Sequence, residues 1–256
     1  MAVRSICLSL ICMFAFSAVL AQPAGRQVTE QQLIWYAYYN TLEFNPKWYL
    51  TTEIDERRFR KPDRQHQFLV RSHLHYLLGK NWDASLGFAY FLQSPQDPYA
   101  TDRLVVPELR PHVQLDYRQP LGRLAIIHRY RAEKRFFRNT ANGELAAGYT
   151  TNYRFRYRVG IEYTIINIKE QPLRLRLNNE VMLNAGKSIG YNWFDQYRVY
   201  AGLGYPVLKD VNVEAAYIYW YQQRPTGNQF YERDIIRFVI NHKINLKKEK
   251  QAEQEQ

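Results

Sequence analysis

One stretch of the chain constrains the fold more than any other, because the thirteen residues Tyr153–Ile165 alternate between apolar or aromatic and polar side chains without a break. One face reads Tyr, Phe, Tyr, Val, Ile, Tyr, Ile, and the other begins with Arg154, Arg156 and Arg158. A period of two residues indicates a β-strand between two different environments. Strands of soluble proteins usually have about five or six residues, whereas a transmembrane strand needs roughly nine to eleven. The length therefore favours a strand that crosses a membrane.

The same alternation recurs in eleven segments, the first near Gln31–Glu43. Short connections rich in Gly, Pro, Asn and Asp alternate with longer ones, a pattern typical of outer-membrane barrels. The long connections are predicted at Gln93–Arg103, Arg138–Thr150, Asn184–Asn192 and Gln222–Glu232. We therefore predict an all-β fold, a transmembrane antiparallel up-and-down β-barrel of about ten to twelve strands. Because bacterial single-chain barrels normally have an even number of strands, twelve is favoured, with Val28–Tyr39 either threading the lumen or splitting in two.

The N-terminus has the composition of a secretory leader. A basic start precedes the apolar run Ile6–Leu20, and Val19-Leu20-Ala21 fits a cleavage site before Gln22. We predict a signal peptide over residues 1–21; the alternative, a retained anchor, is disfavoured because the run is shorter than the ~20 residues of a spanning helix. Both cysteines lie in this leader, so the exported chain has no disulfide. We predict a barrel over residues 22–246 in the bacterial outer membrane and a charged, disordered tail over residues 247–256.

The polar faces of the strands are rich in arginine and carboxylates. Arginine suits a confined, hydrogen-bonded interior because its planar fork bridges several acceptors. We therefore predict that the apolar faces contact lipid and that the polar faces line the lumen; the alternative is a soluble exported barrel with an apolar core. The predicted lumen charge network comprises Glu53, Arg71, Glu108, Arg110, Arg129, Arg131, Glu133, Arg154, Arg156, Arg158, Glu162, Arg174, Arg176, Glu180, Arg198, Glu214 and Arg237. It either plugs the barrel with salt bridges or attracts an anion.

Other chemistry has weaker support in the sequence. Only four serines follow the leader, and His128, the best candidate for a catalytic base, falls on the apolar face, so no catalytic residue is predicted. His73, His75 and His112 share the polar face but lack a strict ligand spacing, which favours a hydrogen-bonding role over a metal site. No cofactor is predicted. The net charge is +11, but the basic residues are dispersed along the strands, which argues against a nucleic-acid partner.

Several segments resemble one known family. They are His128–Phe136, the arginine run Arg154–Arg158, Phe194–Tyr205, and Trp48 followed by Glu53 and Arg57. The chain is similar in them to the bacterial domain of unknown function 2490 family, outer-membrane barrels common in Bacteroidota. The resemblance covers most of the residues after the leader and implies the fold and the location. It implies no activity and no catalytic residues.

These observations lead to three functional hypotheses. The first is a structural or interaction barrel whose long loops meet partners outside the cell. The second is a narrow, porin-like anion-attracting channel or a barrel that binds a small ligand. The third, an outer-membrane lipid hydrolase, is the least supported, and we expect the protein not to be an enzyme. The expected partners are outer-membrane lipid and an anionic solute, and the oligomeric state stays open.

Overall fold

The computed structural model describes residues 25–246. The predicted signal peptide and cleavage site and the predicted tail over residues 247–256 lie outside the described residues. Eleven strands make up the described chain: β1 Gln27–Glu43, β2 Trp48–Phe59, β3 Arg64–Gly79, β4 Trp82–Gln93, β5 Val106–Leu121, β6 Leu124–Ala141, β7 Glu144–Ile168, β8 Gln171–Ala185, β9 Phe194–Leu208, β10 Val211–Gln223 and β11 Gln229–Asn245. Between residues 25 and 246, no helix is long and apolar enough to span a membrane.

The strands form one closed barrel in chain order, which confirms the predicted all-β barrel. Each strand is antiparallel to the next, but β1 and β11 pair in parallel, with Ile34 opposite Ile236. The count of eleven lies within the predicted range and is one below the favoured twelve. Residues 28–39 neither thread the lumen nor split, because they belong to the single strand β1. An odd number of alternating strands leaves the first and last running in the same direction, so the closing seam has to be parallel.

The two ends of the barrel differ in their connections. At one end, called the short-turn end, the strands join through residues 44–47, 80–81, 122–123, 169–170 and 209–210. At the other, called the long-loop end, they join through residues 60–63, 94–105, 142–143, 186–193 and 224–228. The long loop predicted at Arg138–Thr150 is wrong, because β6 and β7 continue to a tight turn at Asn142-Gly143. Both turn residues have positive φ, 52° and 77°, the geometry that fits the twist of a two-residue hairpin.

The barrel has its apolar residues outside and its charges inside. On the outer face, Leu86 is 65% exposed and Phe155 is 51% exposed. On the inner face, Glu108 is 0% exposed and Arg154 is 2% exposed. A soluble protein buries the opposite set of side chains. This distribution is typical of a barrel surrounded by lipid.

The long-loop end of the lumen is filled. A buried apolar cluster, called the plug, occupies it and consists of Leu33, Trp35, Phe59, Ile218, Trp220 and Ile235. Trp35 and Trp220 pack edge to face with ring centroids 5.8 Å apart. From the β4–β5 loop, Gln96 accepts hydrogen bonds at its side-chain oxygen from Arg233 Nη2 at 3.0 Å, and its backbone oxygen accepts one from Gln31 Nε2 at 2.8 Å. These contacts close the lumen at this end.

Candidate functional site: the arginine-rich lumen

The predicted lumen residues all lie on the inner face of the barrel, because each continues the alternation of a strand whose other face is exposed. They do not form one uniform network. Toward the long-loop end, Arg110, Arg135 and Arg154 are matched by carboxylates, whereas Arg233 donates to glutamine side chains. Toward the short-turn end, arginines outnumber carboxylates around a cavity. The two regions therefore have to be considered separately.

The paired region centres on Glu108 and Glu133. Arg110 and Arg135 donate to Glu108, the latter from Nε at 2.6 Å. Glu133 Oε2 accepts from Arg154 Nη2 at 2.5 Å, and Glu133 Oε1 accepts from Arg156 Nη1 at 2.8 Å. These side chains are buried, so water does not screen the ion pairs. Each of these glutamates thus serves two arginines, and their ion pairs fill this part of the lumen.

Several lumen arginines link strands that are not neighbours. Arg154 on β7 reaches Asp195 on β9, with Nη1 to Oδ2 at 3.1 Å. Arg237 on β11 reaches Asp55 on β2, with Nη2 to Oδ2 at 3.0 Å. Each of these bridges skips one strand and therefore ties next-but-one strands of the barrel together. The sequence prediction omitted Arg57, Arg135 and Asp195 from the network.

A cavity of about 440 Å³ lies between this region and the short-turn end. Its lining includes nine arginines and four glutamates, an excess of five positive charges. The arginines are Arg57, Arg71, Arg129, Arg131, Arg156, Arg158, Arg176, Arg198 and Arg237, and the glutamates are Glu53, Glu162, Glu180 and Glu214. Arg174 also faces inward but does not line the cavity.

The charges in the cavity are unevenly satisfied. Within residues 25–246, Arg158 forms no ion pair within 4.0 Å, and its buried Nε has no hydrogen-bond partner. Nη1 of Arg131 and Nε of Arg129 are also buried without a hydrogen bond. Buried arginine nitrogens without acceptors are costly. All three arginines line the cavity, so an anion bound there would lie beside guanidinium groups that still lack acceptors.

The cavity is open toward the short-turn end. The side chain of Arg176 is 31% exposed and that of Arg118, nearer the turns, is 49% exposed. Both donate to Glu162, Arg118 Nη2 at 2.7 Å and Arg176 Nε at 3.0 Å. Because the plug closes the other end, the cavity is a blind pocket with one entrance.

The inward histidines His73, His75 and His112 lie together on one wall. His73 packs edge to face on His112, with ring centroids 4.7 Å apart, and lies 5.6 Å from His75. His75 Nδ1 lies 3.0 Å from Asp83 Oδ1, and Arg131 Nη2 lies 3.3 Å from His73 Nε2. A guanidinium at that nitrogen opposes a metal cation. Among the described residues, no group of three or more His, Cys, Asp or Glu is placed to hold a metal ion.

His128 lies on the outer face, as the alternation predicts. Its ring stacks between Tyr117 and Tyr157, and its Nδ1 lies 2.9 Å from the Tyr157 hydroxyl. In the described part of the chain, no serine hydroxyl is hydrogen-bonded to it. The ring therefore belongs to an aromatic row on the barrel exterior.

Comparison with known proteins identifies the family. The family described as "Protein of unknown function (DUF2490)" matches residues 32–231, well over half of the chain. The chain belongs to this family. A solved structure of the NanC porin in a rhombohedral crystal form is similar, with a TM-score of 0.46 and 12% sequence identity over 75% of this chain and 84% of that chain. No curated protein matches the chain.

Proposed function

We propose that this family member is a barrel of the bacterial outer membrane, exported by its N-terminal leader, that binds a small anion in its lumen and does not conduct. The short turns face the periplasm, as in other outer-membrane barrels, so the pocket opens to that side. No catalytic step and no cofactor is part of this function. The single observation that carries it is Arg158, which forms no ion pair within residues 25–246 and whose Nε is buried without a hydrogen-bond partner, in a pocket with an excess of arginine.

The outer surface supports the location. Aromatic pairs lie near the short-turn end of the outer face, Trp48 with Tyr76 at 4.7 Å and Trp82 with Tyr117 at 4.6 Å between ring centroids. Such rings favour membrane interfaces, where one end is apolar and the other is wet. We expect the protein in the membrane fraction, released only by detergent. Recovery in the aqueous fraction without detergent would overturn the location.

The charge balance of the cavity lining supports the binding of an anion. Several uncompensated cations in one enclosed space repel one another, and an anion that enters gains charge-assisted hydrogen bonds from guanidinium groups that have no acceptor. Arginine forks match the planar oxygens of carboxylate and the oxygens of phosphate. The expected ligand class is therefore a small carboxylate or phosphate compound that fits a cavity of about 440 Å³.

Replacement of Arg158 tests the anion site. In detergent without added anion, we expect Arg158→Gln to raise the melting temperature, because it removes a repelled charge. Phosphate or citrate at constant ionic strength should stabilise the wild type and should stabilise this variant less. Arg154→Gln is the matched control, since Arg154 is paired with Glu133 and Asp195, and it should lower stability. A loss of stability in Arg158→Gln without anion, with an unchanged anion effect, would contradict the proposal.

A purely structural barrel is the second candidate. The buried ion pairs around Glu108 and Glu133 favour it, because they fill the lumen without leaving a site. This candidate predicts that no small anion changes the melting temperature beyond the effect of ionic strength. The hydrolase has the least support, since His128 is hydrogen-bonded to Tyr157 on the outer face.

A further inference from the structure

The exterior of the barrel carries a second hollow, on the face opposite to the lumen. It has a volume of about 500 Å³ and is lined mainly by apolar side chains of β4 to β8. Ala84 and Ala132 form low points between larger neighbours such as Val113, Phe155 and Leu183. The ladder between β5 and β6 passes from Leu109–Phe136 to His112–Glu133, an interruption at Pro111, which has no N–H to donate. Small residues and a broken ladder thus leave a groove on the exterior.

Basic residues lie directly above this groove, toward the long-loop end. Lys134 follows Ala132 on the same face of β6, about 7 Å farther along the strand. Its Nζ lies 5.1 Å from the Phe136 ring centroid and 5.7 Å from that of Tyr153. Arg138 continues the same face, with its guanidinium carbon 5.4 Å from the Tyr149 ring centroid. Lys187 is in the adjacent β8–β9 loop, where Ser188 donates to the Thr151 carbonyl at 2.7 Å.

These three cations have no acidic partner. Within residues 25–246, none of Lys134, Arg138 and Lys187 forms an ion pair within 4.0 Å. Inside the lumen, by contrast, most arginines are matched by a carboxylate. Unmatched cations held over aromatic rings at the edge of an apolar surface fit the level of lipid headgroups.

We propose that the groove binds one phosphorylated lipid together with Lys134, Arg138 and Lys187, called the basic rim. Its acyl chain lies along Ala132 and Phe155, and its phosphate lies between Lys134 and Arg138 with Lys187 alongside. This site rests on the membrane location of the proposed function but is independent of the anion pocket in the lumen. Charge complementarity and the continuity of the groove with the rim identify the occupant as a lipid and not as a protein.

Native mass spectrometry of the detergent-solubilised protein tests the site. The probes are phosphatidylglycerol, diacylglycerol with the same chains, and inorganic phosphate. We expect one phosphatidylglycerol per barrel, bound about tenfold more tightly than diacylglycerol, since each basic residue near an anionic headgroup strengthens binding severalfold. The double variant Lys134→Gln, Arg138→Gln should remove this preference. The control Lys47→Gln, Lys209→Gln removes two charges from turns at the opposite end and should leave it unchanged.

A groove variant tests the apolar half of the site. Ala132→Leu adds a side chain to the hollow on the outer face, where the barrel interior is not disturbed, and should weaken the binding of both lipids. Three results would each overturn the lipid site. The first is equal binding of phosphatidylglycerol and diacylglycerol by the wild type, and the second is an unchanged preference for phosphatidylglycerol in the Lys134→Gln, Arg138→Gln variant. The third is displacement of phosphatidylglycerol by inorganic phosphate. If the wild type needs no detergent, the membrane location fails instead, and the two failures are distinguished.

Discussion

At the scale of single residues, the packing of the lumen depends on a few small or paired positions. Gly87 is one of them, because a Cβ there would lie 2.3 Å from His112 Nε2 and 2.5 Å from His73 Cδ2. His112 cannot turn away freely, since its Nδ1 is 3.0 Å from the Arg110 carbonyl oxygen. The absence of a side chain at this position therefore makes room for the histidine pair.

We expect Gly87→Ala to destabilise the barrel by about 1–3 kcal/mol, the usual cost of overpacking. Chemical unfolding in detergent measures it. Gly190→Ala is the control, because its Cβ would meet nothing nearer than the Pro225 oxygen at 3.6 Å. Equal stability of the two variants would show that the histidines move aside at little cost.

Glu133 is the second such position, since it forms ion pairs with both Arg154 and Arg156. We expect Glu133→Gln to cost about 3–5 kcal/mol, because removal of one partner leaves buried charge uncompensated. Glu56→Gln removes a partly exposed carboxylate paired with Arg58 and should cost less than about 1 kcal/mol. Similar unfolding midpoints for the two variants would contradict the prediction that the buried carboxylate contributes more to stability than the partly exposed one.

At the scale of elements, alternation predicted the strands and the inner faces, and it could have extended the network further. Arg57 continues the face of Glu53 and Asp55 at an interval of two residues, so the sequence contains the information that places it inside. The tight turn at Asn142-Gly143 was also recognisable, because Asn-Gly between alternating segments favours a hairpin.

Other features of the elements could not be read from a period of two. Opposite Arg57 and Arg58 of β2, the strand β3 has one extra residue, His66, which is fully buried in the lumen. The bridge from Arg154 to Asp195 joins strands that are not neighbours, so it depends on the curvature of the closed barrel. The entry of Gln96 into the long-loop end depends on a loop conformation.

The parallel seam makes a prediction at this scale. The two cysteines of the chain are Cys7 and Cys12, so after removal of the leader an introduced pair supplies the only thiols that can crosslink. Ile34→Cys with Ile236→Cys places the thiols on register partners of β1 and β11, and mild oxidation should join them. Ile34→Cys with Ile240→Cys is the control, because Ile240 pairs with Tyr38 and lies too far away. Crosslinking of the control pair alone would contradict the register between β1 and β11. A failure of both pairs to crosslink would contradict the closure of the barrel by these two strands.

At the scale of the whole molecule, the plug fills one end of the lumen, and the arginine-rich cavity lies between it and the short-turn end. In planar bilayers we expect the folded wild type to show no steady current. The double variant Trp35→Ala, Trp220→Ala removes the two largest side chains of the plug and should admit an anion-selective current. Trp193→Ala, on an exposed loop, is the control and should stay closed. A large current through the wild type would contradict the seal.

The most direct test of the central claim, an anion site in the lumen, is a crystal structure of the wild type soaked in bromide, with anomalous scattering used to locate the ion. The predicted result is a bromide peak inside the lumen in hydrogen-bonding contact with the Arg158 guanidinium, absent from Arg158→Gln crystals. A lumen without bromide, or with a carboxylate side chain paired to Arg158, would contradict the claim.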